Sequence, residues 1–170
     1  MSKVFLGFKK LVQSAKIPSY AHEGDAGMDI CALDDVSLPL YIPMLVHTGI
    51  AADIPDGYEL QVRPRSGLAL KGVTVYNSPG TIDSKYRGEI CVILMYINSE
   101  LEEDIRNSVD SFGNMTMVSV GKRPKTHYQV NAGDKIAQLV LSPVTFAAPV
   151  EVDELSATER GSDGFGSTGR

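Results

Sequence analysis

Apolar residues in this chain come in short runs broken by turn-forming residues, and that pattern limits the fold more than any other feature. The runs fall at 4–8, 28–32, 44–52, 58–62, 73–76, 90–97 and 136–143. Asp34-Asp35, Pro55-Asp56-Gly57, Ser78-Pro79-Gly80 and Ala132-Gly133-Asp134 punctuate them as turns. Many short strands without interleaved long helices favour a sandwich, jelly roll or small barrel over a doubly wound sheet. The run 90–97 is apolar on both pleat faces, which predicts a strand covered on two sides.

A chain of 170 residues is long enough for one domain with a substantial core. Its net charge of -5 argues against non-specific nucleic-acid binding. No apolar run approaches membrane-spanning length, so no membrane contact is expected. The opening Met-Ser-Lys shows no charged-then-apolar leader, which predicts a cytoplasmic protein. Cys31 and Cys91 lie inside apolar runs and read as buried thiols of a reducing compartment. His22, His47 and His127 show no metal-ligand spacing, so a zinc site is not expected.

Three segments depart from the strand pattern. Residues 66–72 are polar and glycine-flanked, and predict one helical turn ended by Gly72. In the segment 99–129, Ser99 followed by Glu102 matches a capping box, and Leu101, Ile105, Val109 and Phe112 recur at near-helical spacing. An insertion made of a short surface helix plus a hairpin is predicted there. The C-terminal arm, 159–170, holds Gly161, Gly164, Gly166 and Gly169 and a single large apolar side chain, Phe165. It cannot build a core. It is either a disordered tail or an arm whose glycine N–H groups, Arg160, Ser167 and Thr168 close on phosphate.

Other polar residues carry a functional and a structural reading alike. Arg63-Pro64-Arg65-Ser66-Gly67 offers a guanidinium fork and helix-start N–H groups to a phosphate, or is a surface turn capped by Ser66. Gln138 interrupts an apolar strand, and bonds either backbone or a ligand. Asp83 is a hairpin aspartate or a general base. Tyr86, three residues on, is a hairpin aromatic or a flat platform for a sugar or base. Asp29 is a network residue or an outer-sphere magnesium ligand.

The order of these segments is more telling than any one of them. Ala26-Gly27-Met28-Asp29-Ile30 is followed by Pro64-Arg65-Ser66-Gly67-Leu68-Ala69. Next come Gly80-Thr81-Ile82-Asp83-Ser84-Lys85-Tyr86-Arg87-Gly88-Glu89 and Gly133-Asp134-Lys135-Ile136-Ala137-Gln138-Leu139, then Arg160-Gly161 with Gly164-Phe165-Gly166-Ser167-Thr168-Gly169. The series resembles the five motifs of the homotrimeric dUTPases and spans nearly the whole chain.

The resemblance implies an all-β jelly roll, a threefold trimer with active sites at the seams, and hydrolysis of dUTP to dUMP and diphosphate with Mg2+. It implies that Asn77, Gly80 and Ile82 read the uracil edge and that Tyr86 packs on the deoxyribose. Asp83 would activate the water. Arg65, Ser66, Gly67 and Gln138 of a second chain would hold the phosphates. Phe165, Gly166, Ser167, Thr168 and Arg160 of a third would close the site, and Asp29 would order the metal's water shell. Similar insertions in phage members touch partner proteins, which leaves a protein partner open for 99–129. A dCTP deaminase of the same fold would need a glutamate base, for which Glu89 is available, but would lack the Phe-Gly-Ser-Thr-Gly tail.

Overall fold

The computed structural model describes residues 4–97, 101–109 and 113–162. Its elements in chain order begin with β1 (Gly7–Lys10), β2 (Met28–Cys31), β3 (Val36–Pro39), β4 (Met44–Val46), β5 (Ile50–Asp53) and β6 (Tyr58–Arg63). They continue with α1 (Ser66–Ala69), β7 (Val73–Val75), β8 (Gly80–Ile82), β9 (Val92–Tyr96), β10 (Leu101–Val109), β11 (Met115–Pro124), β12 (His127–Val130) and β13 (Lys135–Pro143). The architecture is all-β, of jelly-roll type, as expected. A four-stranded sheet ordered β2-β13-β6-β8 and a three-stranded sheet ordered β4-β9-β7 are joined by the ribbons β1-β5, β3-β12 and β10-β11.

Strand alternation builds the core. In β6, Leu60 and Val62 point inward; in β9, Val92, Leu94 and Tyr96 do. They meet Ile30, Leu38, Val46, Ile136 and Leu139 in one continuous cluster. Burying such side chains contributes on the order of 1.5–3 kcal/mol each before the entropy of ordering is set against it. The second face of β9 is less covered than predicted. Ile93 and Met95 are half-buried and Ile97 is exposed.

The run 44–52 is two strands rather than one. Gly49 has a φ of 68°, in the left-handed region that favours glycine, and the chain turns there. The N–H groups of Thr48 and Gly49 do not enter a ladder. They donate to Glu89 Oε1, at 3.0 and 2.7 Å. The run before β2 is also shifted, since the first strand starts at Gly7 and pairs with β5. β3, β8 and β12 are too short and too polar to stand out as apolar runs. Cys31 and Cys91 are free thiols, half-buried rather than fully buried.

The helix predicted in the 99–129 segment does not form in the described part. Residues 101–109 are strand β10, paired antiparallel with β11. Leu101, Ile105 and Val109 are four residues apart, a spacing that puts side chains on one face of a strand as well as of a helix. Ser99 and Phe112 lie outside the described residues.

Candidate active site

The hairpin after β8 gathers the first group of site residues. β8 pairs with β6 through Leu60↔Ile82, Gln61↔Thr81 and Val62↔Gly80, which delivers Asp83 at the strand's end. The turn then closes with Tyr86 N–H donating to the Asp83 carbonyl at 3.0 Å. Asn77, Thr81, Ile82, Asp83 and Tyr86 border one pocket of about 330 Å³, with Leu45 and Ile93 as its apolar wall. Gly80, the first residue of β8, is buried.

Tyr86 is half-exposed, and its hydroxyl donates to the Glu89 carbonyl at 3.0 Å. That bond fixes the ring. A Cβ on Gly88 would run into the end of the Tyr86 ring, so any larger residue there must displace the ring. The Asp83 side chain is exposed and has no hydrogen bond or ion pair among the described residues. Its carboxylate is therefore available to a water.

Glu89 is not available in that way. Its Oε1 is held by two backbone N–H groups and its Oε2 by His47. Burial alone would raise this carboxyl. The hydrogen bonds from His47, Gly49 and Thr48 outweigh burial and hold it below its ordinary value. A glutamate committed in this way does not suit the general base of a deaminase.

A second group assembles on the other side of the same sheet. In register, Gln138 of β13 stands between Asp29 of β2 and Arg63 of β6. Asp29 is 6% exposed. Arg65 Nε donates to its Oδ1 at 3.0 Å and Lys135 Nζ to its Oδ2 at 2.8 Å. Arg65 also donates to the Lys135 carbonyl at 2.9 Å. Burial would raise the Asp29 carboxyl, but Lys135 and Arg65 together hold it below its ordinary value. Lys135 was not singled out in the sequence, although it sits inside the fourth motif.

Arg65 precedes the single turn α1, on which Ser66 and Gly67 are exposed. Ser66 is not its cap: the N-cap position is Arg65, and no side chain caps the turn. Gly27 lies against Gln138, and a Cβ there would approach the amide side chain to 3.1–3.3 Å. Among the described residues, no hydrogen bond or ion pair joins the Asp83 group to the Arg65 group. Arg160 is described and exposed, whereas Phe165, Gly166, Ser167 and Thr168 lie outside the described residues. A larger hollow of about 790 Å³, bordered by Val4, Tyr20, His22 and Tyr58, holds none of these groups.

The order and placement of the motifs match one family over almost the entire chain. The dUTPase family profile matches residues 13–106 and 109–169. The chain belongs to the dUTPase family. It is 47% identical to a deoxyuridine 5'-triphosphate nucleotidohydrolase of Picosynechococcus, over 94% of this chain and 95% of that protein. It is 42% identical to the Wolinella succinogenes protein of the same name, over 100% of this chain and 97% of that one. Among solved structures it resembles the dUTPase of Staphylococcus bacteriophage 80alpha with dUpNHpp. The TM-score is 0.77 at 28% identity, over 99% of this chain and 100% of that one. It also resembles the dUTPase of phage phi11 of S. aureus, whose species-specific insert has been visualised. There the TM-score is 0.70 at 29% identity, over 91% of this chain and 100% of that one.

Proposed function

We infer that the chain is a dUTP nucleotidohydrolase that converts dUTP to dUMP and diphosphate. The observation that carries this is a pocket on which Asn77, Ile82, Asp83 and Tyr86 converge, in a chain of the dUTPase family. The pocket is of a size to take a nucleoside, with a fixed aromatic ring on one side and an unengaged carboxylate at its edge.

Asp83 accepts a proton from a water, and the water oxygen attacks the α-phosphorus as diphosphate leaves on the opposite side. Tyr86 packs on the deoxyribose. Asn77 and the backbone of Gly80 and Ile82 read the uracil edge. Arg65, Ser66, Gly67 and Gln138 hold the phosphates, and Arg65 stabilises the charge that grows on them. The Asp29–Lys135 brace sets the direction of the Arg65 side chain.

One chain keeps the Asp83 and Arg65 groups apart, which supports a site shared between subunits of a homotrimer. The outer face of the β4-β9-β7 sheet supports the same reading. Leu45 is exposed there, and its register partner Ile93 and the next residue on that face, Met95, are only half-buried. Apolar residues in such a position gain by meeting a second copy. The arm 159–170 closes the site from a third chain, with Arg160, Ser167 and Thr168 on the phosphates and Phe165 over the base.

Mg2+ fits Asp29 only through water. Both carboxylate oxygens already carry a cationic partner, yet a carboxylate has about four lone-pair sites, and the unused ones suit an ordered hydration shell. When bound, the metal supplies charge neutralisation along the phosphates.

We place the enzyme in the cytoplasm; no helix in the described residues is long and apolar enough to cross a membrane. The 99–129 segment is an insertion with a role of its own in contacting a protein partner. The register of β10 and β11 lines up Leu101, Ile105, Val109, Met115 and Met117 on one face, and all are more than half exposed. Diphosphate release from dUTP, dCTP, dTTP and UTP, with magnesium or a chelator, tests the activity. Release from dUTP alone, lost on chelation, is expected. Equal turnover of dCTP or dTTP contradicts the assignment.

A further inference from the structure

The β4-β9 ladder runs Met44↔Leu94, Leu45↔Ile93, Val46↔Val92. One step further along, His47 stands opposite Cys91, and cross-strand neighbours of this kind bring their side chains together. His47 Nδ1 lies 3.6 Å from Cys91 Sγ and 2.8 Å from Glu89 Oε2. The donor atoms of all three residues fall within 4.8 Å of one another. No ligand spacing in the sequence betrays this cluster, because the residues meet across strands more than forty positions apart.

We propose that His47, Glu89 and Cys91 form a binding site for a borderline-soft divalent cation of the zinc type, with a fourth position open to solvent. An imidazole nitrogen, a carboxylate oxygen and a sulfur form a ligand set that zinc takes. Magnesium and calcium prefer oxygen alone, so this site is chemically distinct from one built on phosphates and Asp29. The site is also supported from behind. Thr48 and Gly49 N–H groups hold Glu89 Oε1, so the carboxylate keeps its orientation and presents Oε2 toward His47. The His47 side chain is 55% exposed, which leaves an entry path.

The charges balance. Carboxylate and thiolate carry two negative charges against a dication, and the imidazole is neutral. On coordination the S–H bond breaks, the proton leaves to solvent, and the sulfur lone pair forms the metal–sulfur bond. The Nδ1 proton of His47 passes to Nε2 through solvent, the hydrogen bond to Glu89 breaks, and the still neutral imidazole coordinates through the Nδ1 lone pair. Glu89 and Cys91 also border the nucleoside pocket, so the cation sits in that pocket's wall.

The test is calorimetric titration of the chelator-stripped, full-length protein with Zn2+ in excess Mg2+, paired with Co2+ absorption spectroscopy. A single Zn2+ per chain at micromolar affinity or tighter is expected, with a thiolate-to-cobalt charge-transfer band in the near ultraviolet. Cys91→Ser should abolish the band, and His47→Ala should weaken Zn2+ binding roughly tenfold or more. His47 is exposed, so its alanine variant is expected to fold, and circular dichroism checks that. No Zn2+ uptake by the wild type, a band that survives Cys91→Ser, or full affinity in His47→Ala would each overturn the proposal.

Discussion

Arg65 and Asp29, 36 residues apart in the chain, are joined by a 3.0 Å bond from Nε to Oδ1, with Lys135 holding the other carboxylate oxygen. The contact makes Asp29 a brace for the proposed phosphate-binding arginine. Removing the carboxylate leaves two cations facing each other. Both are partly exposed, so screening reduces the penalty usual for a broken buried pair, and Asp29→Asn should cost about 1–3 kcal/mol at neutral pH.

The pH dependence of that cost follows from the sign of the shift. The Asp29 carboxyl is held below its ordinary value, so its contribution is complete above the unfolded-state value. It is lost as pH falls through the lower, folded-state value. Denaturant unfolding of wild type and Asp29→Asn should therefore differ at pH near 7 and converge in acid below about 4. A difference that stays constant down to pH near 2 would contradict the brace.

Among the described residues Asp83 has no competing side-chain partner, so its substitution should touch chemistry more than folding. Asp83→Asn is expected to lower kcat for dUTP by roughly 10²–10⁴-fold, the range of a lost general base, with dUTP affinity and thermal stability near wild type. Single-turnover kinetics alongside equilibrium binding separate the two. Substantial remaining turnover would remove Asp83 from the proton-transfer role.

Gly88→Ala puts a methyl group into the Tyr86 ring. The ring must move or the hairpin must open, at a cost of about 1–3 kcal/mol. Because Tyr86 borders the pocket proposed to take the nucleoside, KM for dUTP should rise, and more than kcat falls. A variant with unchanged KM would mean that the ring does not contact the sugar.

The proposed lid, 159–170, is separate from the elements that build the proposed site, so truncation before residue 159 should cripple turnover while leaving the assembly intact. Sedimentation velocity and diphosphate release on the same sample report both. Wild-type activity in the truncated protein would dismiss the arm as a lid.

Replacing 101–124 by a short glycine linker should leave dUTP hydrolysis near wild type. Tyr96 and Thr126 flank the segment, and their carbonyls accept from the consecutive N–H groups of Tyr41 and Leu40, so the ends lie close together. Loss of folding would place the hairpin in the framework instead.

Much was legible in the residue pattern because some constraints are local. Period-two burial in β6 and the turn at Pro55-Asp56-Gly57 depend on neighbours in sequence, and so does the helical turn after Arg65. The spacing of Leu101, Ile105 and Val109 misled because a four-residue step satisfies a strand and a helix alike. β3, β8 and β12 were not legible, since each has few apolar residues and exists by pairing with a distant partner. The linear order of the five motifs, from Ala26 to Gly169, pointed to the family without any coordinates. Only the tertiary structure decided that Lys135 completes the Asp29 brace, that Glu89 pins the turn at Gly49, and that His47 meets Cys91. Hydrogen bonding between strands acts across space, and nothing in the spacing along the chain encodes it.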